Sequence, residues 1–492
     1  MSQLPYTLYR AADVRELDRV AIQEFGTPGI ELMNRAGAAV FDELCGRWPE
    51  VRAIVIVCGG GNNAGDGYVV ARLAKERGMQ VSVLALTDPT ELKGDASTAW
   101  NDAQAVGLSV NEFDTDFLSK ADVVVDAIFG TGLDRPVEGE CANAIAAINA
   151  SGVPVLAIDI PSGLHADSGC VLGQAIRAEA TVSFIGLKQG LLTADGVDCC
   201  GAVSFDGLGV EAEVYQHVDL ACERIDWLKL RNELPKRPNS AHKGLYGHTL
   251  VIGGNHGMAG AARLAAEAAA RVGSGLTSVA TRPAHVAAMS AARPEVMWQA
   301  VASAADLRAA MQSASVIAVG PGLGQDEWAR ELFDVALQSN LPLIVDADAL
   351  NLLSQEVFQR SNWILTPHPG EAGRLLGCNI ADINRQRFDA VKLLAEKYQA
   401  VAVLKGAGTL ICDNNEGATA LCSDGNPGMA AGGMGDVLTG IIAGLVAQGV
   451  ELSAAARMGV ALHAAAADKV ALTGARGMLA GDVINELRVL VN

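Results

Sequence analysis

"CGGGNNAGDGYVVAR" occupies residues 58–72 and decides how the first half of this chain is to be read. It sets five glycines, two adjacent asparagines and an aspartate between an apolar run and a helix-like stretch. A surface turn does not need that much backbone freedom, whereas a loop that lets a ligand approach its main chain does. The run before it, "AIVIVC" (53–58), is apolar on both faces. Similar runs follow: "VSVLAL" (81–86), "DVVVDAIF" (122–129), "VPVLAIDI" (153–160) and "ATVSFIG" (180–186). Strand-length segments buried on both sides and separated by helices predict a parallel sheet covered on both faces, an α/β fold. The second half repeats the rhythm with "TLVIGG" (249–254), "SVIAVGPG" (315–322), "PLIVDAD" (342–348), "WILTPHPG" (363–370) and "AVAVLKGAG" (400–408).

A chain of 492 residues is long for one domain. The charged stretch 211–244 ends its first part in two prolines and separates the two sets of strands, so the boundary is expected near 215–230, giving domains 1–220 and 221–492. The net charge of −19 argues against nucleic-acid partners and anionic membranes. No run approaches about 18 apolar residues and no basic-then-apolar leader opens the chain, so neither a membrane span nor a secretory signal is expected. Ten scattered cysteines, with Cys199 and Cys200 the only close pair, predict reduced thiols and a cytoplasmic location.

Within the opening stretch, Gly59, Gly61 and Ala64 fit the G-x-G-x-x-G/A spacing of dinucleotide-binding turns, and Asp88 follows the next strand where a ribose-binding acid would sit. A tight turn without a ligand is the plainer reading. Against it stand Asn62, Asn63 and Asp66, polar side chains at the carboxyl end of a buried strand, where open α/β sheets bind ligands. Two more strands end alike: Asp126 precedes Gly130, Thr131 and Gly132, and Asp159 precedes Pro161 and Ser162. Asn63, Asp126 and Ser162 offer oxygens and one formal charge, a set suited to a weakly charged cation. The alternative is that each aspartate caps its own turn.

Together "GGGNNAGDG" (59–67), "DAIFGTGLDR" (126–135) and "DIPSGL" (159–164) resemble the NAD(P)H-hydrate epimerase domain over about residues 10–215. The resemblance implies a Rossmann-like three-layer α/β/α fold. It also implies a substrate pocket lined by Asn62, Asn63, Ala64, Gly65 and Asp66 and by Gly130, Thr131, Gly132, Leu133, Asp134, Arg135 and Pro136. By the same resemblance Asn63, Asp126 and Ser162 bind potassium (K+), and Asp159 is the acid/base. Ala64 stands where the family usually has glycine.

In the second half, "AGGMGDVLTGIIAGLVAQG" (431–449) places Gly432, Gly433 and Gly435 before an apolar helix with Asp436 in its first turn. Free N–H groups at a helix start bind anions. An aspartate there can equally be a plain N-terminal charge or cap. "GPGLG" (320–324), "DADALN" (346–351), "TPHPGE" (366–371) and "KGAGT" (405–409) supply a nucleotide-sized set of loops on one sheet edge. This combination resembles the ribokinase-like superfamily, in which the glycine loop steadies a transferred phosphate and the aspartate takes a hydroxyl proton.

More narrowly, "HKGLYGHTLVIGGNHGMAGAA" (242–262), "PEVM" (294–297), "TPHPGE" and "GMGD" (433–436) resemble the ADP/ATP-dependent NAD(P)H-hydrate dehydratase domain over about 235–490. Met434 departs from the threonine or alanine common there. The resemblance implies that Ala262, Gly322, His368 and Asp436 contact the hydrate, and that Lys405, Gly406, Ala407, Gly408, Thr409 and Gly435 contact the nucleotide. A fused chain of this sort implies a metabolite-repair enzyme with ADP as phosphoryl donor and magnesium (Mg2+). It would epimerise the R and S hydrates NADHX and NADPHX at C6 and dehydrate the S form, yielding AMP and phosphate. The family suggests a homo-oligomer, a tetramer. The rival readings are a ribokinase-like small-molecule kinase fused to a Rossmann-like module, and a first half that binds without catalysis.

Overall fold

The computed structural model describes residues 4–415 and 418–492. The chain divides into two compact units, Met1–Glu223 and Arg224–Asn492.

In the first unit, side-chain alternation along Ala53–Cys58 builds both sides of the core. Ile54, Ile56 and Cys58 pack into one apolar cluster with helices Ala11–Gln23, Gly29–Arg47 and Asn62–Glu76. Val55 and Val57 point the other way, to Ile145 and Ile148 of helix Gly139–Ser151. A strand apolar at every position is thus buried on both faces, as its sequence required. The seven strands lie in the order Val110–Glu112, Gln80–Ala85, Ala53–Cys58, Val123–Ala127, Val155–Ile158, Ala180–Phe184, Ala202–Asp206, and all pair in parallel. Chain direction across the sheet reverses between Ala53–Cys58 and Val123–Ala127, where the loops leaving the two strands diverge and open a crevice.

The second unit repeats that topology. Its parallel strands run Met297–Ala300, Leu276–Thr281, His248–Ile252, Val316–Val319, Leu343–Val345, Trp363–Leu365 and Val401–Leu404, followed by the antiparallel Thr409–Asp413 and Thr419–Cys422. The reversal falls between His248–Ile252 and Val316–Val319. Helix Met434–Ala447 is buried along most of its length against helices Ala259–Val272 and Leu452–Ala471. Two glycines allow this. A side chain at Gly440 would overlap the Ala265 carbonyl oxygen, and one at Gly444 would lie 2.7 Å from the Ala269 carbonyl oxygen.

Edge strands escaped the sequence reading: Val110–Glu112 and Met297–Ala300 carry polar residues and lack two apolar faces. Among the described residues no helix is long and apolar enough to cross a membrane, and all ten cysteines are free.

Candidate active sites

The first crevice is a cleft of about 1000 Å³ at the carboxyl ends of the first unit's strands. Its glycines divide the work. Gly59 lies so close to the Ile128 carbonyl oxygen that any side chain would overlap it, while Gly67 sits against Cys58 and Ala127. Gly60 and Gly61 face the cleft, and Gly61 has open space where its side chain would be, so there the loop offers bare backbone to a ligand. Asn62, Asn63, Asp66 and residues 130–136 line the cleft with Asp159. Ala64 and Gly65 do not. Ala64 is fully buried, and a side chain at Gly65 would meet Met33 and Ala96, so both serve the packing of the helix beneath. Asp88 is also elsewhere: it accepts from the Thr90 N–H (2.9 Å) and hydroxyl (2.8 Å) and caps its own exposed turn.

Asp126, fully buried, accepts from the Ser162 hydroxyl (2.6 Å), the Ser162 N–H (2.7 Å) and the Ile128 N–H (3.2 Å). Burial pushes its carboxyl up to about 6, against the pull of those hydrogen bonds. Asn63 Nδ2 and Ser162 Oγ both reach the Phe129 carbonyl oxygen, at 3.0 and 3.2 Å, which gathers the three residues around one point. Hard oxygens with a single formal charge fit a monovalent cation. Asp126 therefore caps its turn, by way of Ile128, and still belongs to an oxygen cluster.

Asp159 follows strand Val155–Ile158 with φ 67°, a left-handed conformation that non-glycine residues rarely adopt. Its N–H donates to the Val182 carbonyl oxygen (2.7 Å). Oδ1 accepts from Lys188 Nζ, and from the Phe184 N–H at 3.4 Å. Among the other carboxyls that line the same cleft, Asp18 and Asp66 interact electrostatically with Asp159 and Lys188. Burial, then Asp159, pushes Asp66 well above the carboxylate range; burial raises Asp18 to about 6, with Lys188 opposing. Asp18 and Lys188 were not singled out from sequence, since neither sits in a motif.

In the second unit three strand ends and a helix start converge. Asp346 follows Leu343–Val345 and accepts from Lys405 Nζ (2.7 Å) and the Thr439 hydroxyl (2.8 Å). Lys405 follows Val401–Leu404 and lies 3.8 Å from Glu371 Oε2. Gly435 is where the helix start meets this pair: a side chain there would lie 3.4 Å from Lys405 Nζ and 3.5 Å from Asp346 Oδ2. Gly433, at φ 89°, turns the chain into helix Met434–Ala447, and no side chain caps that end. Among the described residues the Asp436 carboxyl accepts no hydrogen bond, so capping does not consume it.

The electrostatics separate these carboxyls. Burial pushes Asp346 up, but the Lys405 charge and the Lys405 and Thr439 hydrogen bonds outweigh it and hold Asp346 below its ordinary value. Burial and the neighbouring Asp346 raise Asp436 to about 7, with Lys405 opposing. One group remains an anion and the other exchanges a proton near neutrality, a division of environments typical of acid–base sites.

His368 caps helix Pro369–Leu376: Nδ1 accepts from the Gly370 N–H (2.9 Å) and the Glu371 N–H (3.4 Å), leaving about half the ring exposed. Burial and Lys405 depress its proton affinity, in keeping with a neutral, accepting Nδ1. Gly322, at φ 57°, packs its backbone against Met258, and Asn255 ties that loop down through Gly322 and Leu323. Ala262 is fully buried beside Gly254, so it forms the wall behind the loop. The loop of residues 405–409 holds Gly406 and Gly408 at positive φ; the buried Arg387 donates to the Gly408 (3.2 Å) and Lys405 (3.4 Å) carbonyl oxygens, and the Thr409 hydroxyl donates to that of Gly406 (3.0 Å). Asp346, Thr439, Glu371 and Arg387 had no assigned role from sequence, although Asp346, Glu371 and Thr439 lie in stretches that drew notice.

Comparison with known proteins bears on both halves. A family model described as NAD(P)H-hydrate dehydratase matches residues 249–488, and one described as YjeF-related protein N-terminus matches 29–190. The bifunctional NAD(P)H-hydrate repair enzyme of Coxiella burnetii is 50% identical over 486 residues, covering 99% of each chain. This chain belongs to the bifunctional NAD(P)H-hydrate repair enzyme family. The Escherichia coli member is 41% identical, over 99% of this chain and 95% of its own. Among solved structures, a ribokinase-like superfamily protein from Enterococcus faecalis superposes with a TM-score of 0.52 at 30% identity, covering 56% of this chain and 96% of its own. Repair enzymes of this family join an epimerase half to a dehydratase half, and this chain carries both matching segments.

Proposed function

We propose that the first unit interconverts the R and S hydrates of NADH and NADPH at C6, and that the second dehydrates the S form with ADP as phosphoryl donor. The observation that carries the reading is Asp436, uncapped and poised near neutrality beside the Asp346–Lys405 pair at a glycine-rich helix start.

In the second site Asp436 takes the C6 hydroxyl proton as that oxygen attacks the terminal phosphorus of ADP, and AMP departs. Phosphate then leaves C6 with the help of the N1 lone pair, C5 gives up a proton to solvent, and the C5=C6 bond forms. Gly432–Gly435 and Lys405 stabilise charge on the moving phosphoryl group. Magnesium carried on the nucleotide's phosphates would meet Asp346 or Glu371, the buried carboxylates flanking Lys405, and would spread the phosphate charge.

In the first site the C6 hydroxyl and N1 form a hemiaminal. Asp159 takes the hydroxyl proton, the C6–N1 bond breaks to give an aldehyde, and N1 accepts the electron pair and a proton from Asp66 or Asp18. Rotation and reclosure on the other aldehyde face return both protons. Potassium held by Asn63, Asp126 and Ser162 would place a positive charge beside the substrate's phosphates.

The test is optical. Hydrated NADH lacks the reduced-nicotinamide band; its return on adding ADP, with stoichiometric inorganic phosphate, is expected. Accumulation of a stable phosphorylated product without the band would make the second unit a small-molecule kinase instead.

A further inference from the structure

The least explained group in the first unit is Lys188. It is 1% exposed, far from the usual fate of a lysine, yet it borders the cleft. Nothing about its neighbourhood is loose. The backbone is fixed on both sides, because the Tyr9 N–H donates to the Leu187 carbonyl oxygen (2.8 Å) and the Gln189 N–H donates to that of Tyr9 (3.0 Å). Ile185, at φ 57°, and Gly186 turn the chain back after strand Ala180–Phe184 so that the lysine points inward. The ammonium has three donors and three acceptors: Asp159 Oδ1, Ser183 Oγ (3.2 Å) and the Phe184 carbonyl oxygen (3.1 Å).

Its partner is equally constrained. Asp159 holds a left-handed backbone, which is strained for a non-glycine residue and persists only where its surroundings insist on it. Both hydrogen bonds to its carboxyl go to Oδ1. Among the described residues Oδ2 has no partner, and Asp159 lines the cleft. Around the pair stand Asp18 on helix Ala11–Gln23 and Asp66 on helix Asn62–Glu76, with Arg15 also on the cleft wall. Asp159, Asp18 and Asp66 thus lie around one buried cation.

We propose that Lys188 is the positioning residue of the first site: its buried ammonium clamps Oδ1 of Asp159 and aims Oδ2 into the cleft. A purely structural ion pair is the competing account. Buried pairs are weak stabilisers, since desolvating both ions offsets their attraction, and such a pair has no need of an open carboxylate oxygen at a cleft wall. The inference rests on the epimerase reading of this site.

The experiment uses the full chain, potassium, and pure R and S hydrates of NADH. R-to-S conversion is followed for the parent, Lys188→Met, Lys188→Arg and Ser183→Ala, with ADP-dependent dehydration of the S hydrate as a control in the other unit. Lys188→Met should lose about 10²-fold or more in the turnover rate, with KM little changed. Lys188→Arg, which keeps a cation beside Oδ1, should recover part of that rate, and Ser183→Ala, which removes one acceptor of the ammonium, should lower it by less than Lys188→Met. A Lys188→Met rate within a few-fold of the parent would overturn the proposal. If Lys188→Met fails to fold, a Ser183→Ala turnover rate equal to the parent's overturns it. A parent protein inert toward the R hydrate while dehydrating the S hydrate would strike the epimerase reading itself, an outcome distinct from a parent that epimerises and a mutant that does so equally well.

Discussion

Both sites lie at the carboxyl ends of parallel strands arranged in one order, and each contains a lysine hydrogen-bonded to an aspartate. What differs is which carboxyl the lysine serves. In the first unit Lys188 holds Asp159, the group that itself faces the cleft. In the second, Lys405 holds Asp346, and the unpaired Asp436 is left to exchange a proton. On the proposed reading, one scaffold yields two chemistries by placing a single lysine–aspartate pair differently: in the first site the paired carboxyl faces the substrate, in the second the unpaired one does.

The largest effect should come from removing the unpaired carboxyl. Asp436→Asn should lower the dehydration rate on the order of 10²–10⁴-fold, while ADP binding and melting temperature stay close to the parent's. Asparagine caps a helix about as well as aspartate, so a rate within a few-fold of the parent would reduce Asp436 to a helix-end charge and erase the contrast between the sites.

Next is the pair itself. Lys405→Met leaves Asp346 buried without its counter-ion, and breaking such a pair costs about 3–5 kcal/mol. Denaturant unfolding of the second unit should show a loss of that order; a loss below about 1 kcal/mol would mean water reaches Asp346. A smaller change is expected from Thr439→Val, which removes one hydrogen bond to a charged group, worth roughly 1.5–3 kcal/mol. It should also move the pH dependence of dehydration, because Asp346 presses on Asp436.

That pH dependence is a fourth check, and its sign follows from the shift. Asp436 is raised to about 7, so its basic form is present above that pH and lost below it. Dehydration should fall roughly tenfold per unit as pH drops beneath about 7. A rate flat down to pH 5 would contradict the assignment.

The contrast explains what the sequence could and could not disclose. Buried central strands such as Ala53–Cys58 were legible because every position is apolar, and glycine-rich ends flagged Asn63, Asp126 and Asp436 because backbone freedom leaves a compositional mark. Counter-ions leave none. Lys405 and Asp346 are 59 residues apart, and only the fold makes them a pair. Lys188 lies in "FIGLKQG" (184–190), where nothing announces that a lysine will be buried under an aspartate 29 residues upstream. Asp88 failed the other way: its spacing matched a ribose-binding acid, but Pro89 and Thr90 formed a local turn that took its carboxyl. Ala64 and Gly65 lay inside a binding motif yet turned inward, because a helix starting at Asn62 sends only some of its first-turn residues to the cleft.

The central claim is that one chain holds two separable sites, and a crossed assay tests it most directly. Asp126→Ala and Asp436→Asn would each be given pure R and pure S hydrate with ADP, magnesium and potassium, and the reduced-nicotinamide band followed. The account predicts that Asp126→Ala restores the band from S at the parent rate but from R only slowly, with weakened potassium dependence. Asp436→Asn should restore it from neither, while still converting R to S. Equal loss on both substrates in Asp126→Ala, or loss of R-to-S conversion in Asp436→Asn, would contradict it.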